Sequence, residues 1–105
     1  MTKEIMNNVI NSKELTFEEK IYALYFGFVS SWFNSVRDCM LFTYSDFAKL
    51  CKVSKRTVCR IINVEGNIDI HTLFRIVDNI AVLNMMGDET KSVLAEIRAF
   101  ENQYK

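Results

Sequence analysis

A chain of 105 residues with no proline and only three glycines, Gly27, Gly66 and Gly87, has few ways to make a sheet. Strands need frequent Gly- and Pro-based turns, because tight hairpins demand backbone angles that most residues avoid. Helices joined by short connections make no such demand. Half of the residues are apolar, which at this length is enough to bury a core without disulfides or metals. The expected fold is therefore all-α, a compact five- to six-helix domain spanning residues 1–105 as one unit. No internal repeat, long linker or low-complexity segment divides it.

Several classes are set aside at this stage. Cys39, Cys51 and Cys59 are odd in number and lack CxxC spacing, so neither a disulfide framework nor a zinc site is expected. His71 reads as a helix-start or surface residue. No nucleophile–base pair, phosphate-binding glycine loop or carboxylate pair has usable spacing, so no enzyme and no cofactor is expected. The most apolar stretch, Ile21 to Phe33, is 13 residues long, short of the roughly 20 that span a membrane. With no basic-then-apolar leader pattern, a cytoplasmic protein is expected.

Residues 1–14 are polar and rich in Asn, forming either a weak helix or an arm anchored by Ile5, Met6, Val9 and Ile10. Thr16-Phe17-Glu18-Glu19 has the form of a capping box, which opens a helix over about 17–38. That helix carries two adjacent apolar stripes. Phe17, Ile21, Leu24, Phe28 and Trp32 form one; Tyr22, Phe26, Val29 and Phe33 form the other. Together they cover roughly 200° of arc, where a surface helix needs about 100°. Either the helix is buried within one subunit, or Tyr22, Phe26 and Phe33 face a second subunit or a partner. A break follows at Leu41–Phe42. Short helices then follow at Tyr44–Cys51, capped by Thr43, and from Ser54 to about Asn63. Beyond a loop with Gly66, Asp69 opens a helix marked by Ile70, Leu73, Phe74, Val77 and Ile80. After Gly87-Asp88, a last helix over about 89–103 carries a stripe of Val93, Leu94, Ile97, Phe100 and Tyr104. Its Ile97 and Phe100 are further candidates for a dimer surface.

The two short helices have the spacing of a closely crossing pair. Ala48 is the small residue such a crossing needs. Phe47, Cys51, Val53, Val58 and Ile61 lie where apolar side chains lock the pair. Among the remaining positions Lys49, Lys52, Lys55, Arg56 and Arg60 are basic, and no acid lies between residues 49 and 60. Formal net charge is +0, yet residues 39–66 carry five cations against Asp46 and Glu65, a local charge of +3. The flanks carry the compensating −3. A basic patch on a chain that is neutral in total is the footprint expected of phosphate attraction.

Residues 43–77 resemble the Cro/repressor-type helix-turn-helix family, also called the XRE family. The resemblance rests on Thr43, Phe47, Ala48, Cys51, Val53, Ser54, Thr57, Val58, Arg60, Ile61 and Asn63. It continues through Ile70, Thr72, Leu73, Arg75 and Ile76 in matching register. It implies a helix-turn-helix over 44–63 whose second helix enters the major groove of double-stranded DNA. Lys55, Arg56 and Arg60 then become candidates for base edges. Thr43, Thr57 and Asn63, with Tyr44 and Ser54 beside them, become candidates for phosphates. Three positions depart from the family pattern: Tyr44 for glutamine, Lys52 for the turn glycine and Val64 for the glycine after Asn63. Lys52 accordingly stands where a positive φ is often wanted.

The resemblance further implies a homodimer on a near-palindromic operator, regulating transcription at its own promoter as a restriction–modification controller or phage-type repressor does. The alternative is an antitoxin or other protein-binding module that grips a partner through the aromatic face of the 17–38 helix.

Overall fold

The computed structural model describes residues 1–65 and 67–103, and every regular element among them is a helix. In chain order these are α1 (Lys3–Ile10), α2 (Phe17–Met40), α3 (Tyr44–Cys51), α4 (Lys55–Ile62), α5 (Ile70–Val82) and α6 (Asp88–Asn102). The all-α architecture of five to six helices is thus observed. The N-terminal segment is a helix anchored by Met6, which is fully buried. Gly66 and Tyr104, named above for the loop and the last stripe, lie outside the described residues.

Local chemistry explains where the helices begin and end. At the start of α2, Thr16 Oγ1 accepts from Glu19 N while the Glu19 carboxylate accepts from Thr16 N, both orphan donors being satisfied. Thr43 and Asp46 do the same for α3. Asp69 caps α5 by accepting from His71 N at 2.7 Å. At the far ends, Leu41, Lys52, Val64 and Asn84 take positive φ. Behind the last three, a backbone N–H reaches five residues back, as in Val53 N to Ala48 O at 3.1 Å. This is the ending that glycine usually supplies, made here with other residues.

Helix α2 is the hub: it packs against α1, α4, α5 and α6. Its first stripe meets the C-terminal part of the chain. Phe17 lies 5.5 Å from Phe100 between ring centroids, and Trp32 Nε1 donates to Met85 O at 3.0 Å. The second stripe meets the middle of the chain, with Phe33 on Phe47 at 4.8 Å and Tyr22 Oη accepting from Ile68 N at 3.1 Å. Both stripes are therefore consumed within one chain. Phe26, Phe33, Ile97 and Phe100, expected as dimer or partner contacts, are core residues at 8%, 0%, 0% and 6% exposure. Two layers of helix cover the wide apolar arc, one on each side, so a second subunit is not needed to bury it. Tyr22 alone of that set stays half-exposed, and its hydroxyl is engaged by the loop before α5.

Candidate nucleic-acid interface

Helices α3 and α4 are each 8 residues long, too short to persist in water by themselves. Packing holds them. Phe47 and Cys51 on α3 and Val58 and Ile61 on α4 are all 0% exposed, and Ile62 is nearly so. Ala48 and Val53 pack partly buried against the same core. Phe47 sits in an aromatic nest of Trp32, Phe33 and Phe42, with centroids 4.8–5.9 Å away. Burial pushes the Cys51 thiol up to about 11, so it behaves as a small hydrophobe.

Three residues, 52–54, join the pair. Lys52 adopts φ 58° and ψ 44°, the left-handed turn expected for that position. Its side chain is exposed. From α5, Asn79 Nδ2 donates to Cys51 O at 3.0 Å, satisfying a carbonyl at the end of α3. Ser54 then opens α4: its Oγ accepts from Thr57 N at 3.1 Å and lies 2.9 Å from Thr57 Oγ1. Sequence reasoning found this cap but not Asn79, whose role depends on a residue 28 positions away.

At about 100° per residue, the buried arc of α4 is Thr57, Ile61, Val58 and Ile62. The opposite arc carries Lys55, Cys59, Asn63, Arg56 and Arg60. Lys55 and Arg56 are exposed, Arg60 and Cys59 half-exposed, and the Asn63 amide lies 3.3 Å from Cys59 Sγ as its donor. All three base-edge candidates thus share one face. Among the described residues Lys49, Lys52, Lys55 and Arg56 form no salt bridge; the ion pairs lie elsewhere, at Lys3–Glu96, Arg37–Asp38 and Arg98–Asp78.

The phosphate candidates are divided. Ser54 and Asn63 cap the two ends of α4 and Thr57 lies in its first turn, while Thr43 caps α3 and Tyr44 begins it. Tyr44 is half-buried against the core. Asp46 beside them is held below the usual carboxylate value by the Thr43 backbone N–H first and the Thr43 hydroxyl second, so it stays charged.

Comparison with protein-family models, curated proteins and solved structures finds no match. The functional reading therefore rests on the face itself. That face opposes its own helix dipole. The first turn of α4 holds Lys55 and Arg56 and no acid, whereas α2, α3 and α6 each begin with carboxylates. Cations at a helix N-terminus are unfavourable by a few tenths of a kcal/mol each. An anion laid across the start of α4 removes that cost, because the backbone donors and the side-chain charges both favour it.

Proposed function

We propose that this chain is a sequence-specific DNA-binding regulator of transcription that presents α4 to the major groove. The observation that carries the reading is the division of α4 into an inward arc, where Val58, Ile61 and Ile62 are buried, and an outward arc bearing Lys55, Arg56 and Arg60 without an acid. The arrangement suits a duplex. An 8-residue helix is about 12 Å long and fits across the groove with its first turn toward the base edges. Arginine at such a position pairs bidentately with guanine O6 and N7. The resemblance of residues 43–77 to the XRE family supports the same conclusion.

A single helix of this length spans only a few base pairs. We propose, accordingly, that the protein works as a homodimer on a near-palindromic site, with half-sites about 34 Å apart. The dimer surface lies outside the core residues Phe26, Phe33, Ile97 and Phe100, since these are spent within the protomer.

The test is fluorescence-anisotropy binding to the DNA upstream of the protein's own gene, against scrambled DNA, across a salt series. Selective binding that saturates at two protomers per site is expected. Arg56→Ala and Lys55→Ala should each weaken it by about 1–3 kcal/mol if they contact bases, with unchanged helicity by circular dichroism. Equal affinity for both DNAs, unaffected by either substitution, would remove the reading.

A further inference from the structure

The outward arc of α4 contains one side chain that does not match its neighbours. Lys55, Cys59 and Asn63 follow one another at four-residue spacing, and Arg56 and Arg60 form a second column beside them. Four of these five carry charge or a strong hydrogen-bonding group. Cys59 carries neither, and it lies in the middle, half-exposed, with the Asn63 amide 3.3 Å from its sulfur. Resting on the DNA-reading role above, we propose that Cys59 is a specificity-determining residue that packs against the C5-methyl group of a thymine.

The argument is one of matching surfaces. A thiol is a weak donor and a weak acceptor, and here the Asn63 amide already occupies its sulfur. An amino or keto group of a base pressed against it would lose water without gaining an equivalent partner, which is costly. Thymine is the base whose major-groove edge offers an apolar group, and burying that methyl against sulfur and Cβ is favourable. Shape agrees with chemistry. The Cys59 side chain is shorter than those of Lys55, Arg56 and Arg60 on the same arc, and the methyl projects from the pyrimidine edge into the groove. The lysine and arginine columns then reach purines and phosphates on either side without displacing the contact.

The experiment begins by selecting preferred sites from a random pool of duplexes with the full chain. In the selected duplex, each thymine is replaced in turn by uracil, which removes only the methyl. One position per half-site should weaken binding about three- to fivefold, the equivalent of one buried methyl-sized group. Cys59→Ala, which keeps an apolar surface, should retain most of that sensitivity. Cys59→Ser should abolish it, with both variants checked for native helicity. Uracil tolerated at every position, or an equal loss in Cys59→Ser and the parent, overturns the assignment while leaving DNA reading intact. Selection that yields no preferred sequence from folded protein overturns the DNA-reading proposal, and this inference with it.

Discussion

Helix α2 hides most of its circumference, whereas α4 hides one half and keeps the other charged. The contrast extends to every local choice. Helix α2 is 24 residues long with nine of them buried, carries Glu18 and Glu19 in its first turn and Arg37 in its last, and has a complete capping box. Each of these favours the helix. Helix α4 has 8 residues, no acid in its first turn, and cations where the dipole disfavours them. It exists because Val58, Ile61 and Ile62 are buried against α2 and its neighbours. Helix α2 follows the local rules and α4 departs from them, and burial in the same core holds both.

The comparison makes α2 the support on which the α3–α4 pair depends, and the strongest way to break it is at their seam. Phe33 is 0% exposed and lies 4.8 Å from Phe47. Phe33→Ala should cost about 3–5 kcal/mol in denaturant unfolding, the range for a large aromatic removed from a packed core. Amide exchange should accelerate first in α3 and α4. A loss below about 1 kcal/mol, far under that range, would show that the pair is not held from this side.

A smaller effect sharpens the other half of the comparison. Val64 closes α4 at φ 56° with its side chain 69% exposed, a conformation that β-branched residues rarely adopt. The left-handed region costs a non-glycine residue roughly 1–2 kcal/mol, part of which glycine gives back through its freer unfolded chain. Val64→Gly should therefore raise stability by about 1 kcal/mol, read as an increase in Tm. An unchanged or lowered Tm would mean that the Val64 side chain makes contacts that outweigh its backbone strain.

Much of this architecture was legible because it is written in short-range chemistry. Thr16 with Glu19, and Ser54 before a basic-apolar alternation, mark helix starts that the structure reproduces. The positive φ of Lys52 followed from its place in the turn. Helix boundaries fell within two residues for α2 and one for α6. What stayed open in the sequence was whether the wide apolar arc is buried within one chain or against a second. An arc states how much must be buried and is silent on what buries it, so Phe26 and Phe33 read equally well as core or interface. The Tyr22–Ile68, Tyr25–Glu101 and Asn79–Cys51 hydrogen bonds were invisible for the same reason, since their partners lie 46, 76 and 28 residues apart. Within the candidate face, Lys55, Arg56 and Arg60 were legible from charge.

The mildest expected effect separates α3 from α4 by pH. Asp46 N and Thr43 N are satisfied by reciprocal bonds of 3.1 and 2.8 Å, and the second needs an oxygen of the Asp46 carboxylate. The bond from the Thr43 backbone, and next the Thr43 hydroxyl, lowers the Asp46 pKa from its ordinary 3.8. A carboxyl whose pKa is depressed on folding binds its proton more weakly in the folded state. Its contribution is complete above the ordinary value and disappears as pH falls through the lowered one. Helix α4 has no such group: the residue three beyond its cap is Thr57, whose hydroxyl does not titrate in this range. Glu19 behaves like Asp46 at the start of α2, so total stability will not distinguish the helices and a site-resolved reading is required. Between pH 5 and 2, amide exchange corrected for its intrinsic rate should quicken at the start of α3 before it does at the start of α4. Asp46→Asn, which keeps an oxygen acceptor, should flatten the α3 response. Equal acid sensitivity at the two starts would mean that their caps are not what holds them, and that both simply follow the opening of the core beneath.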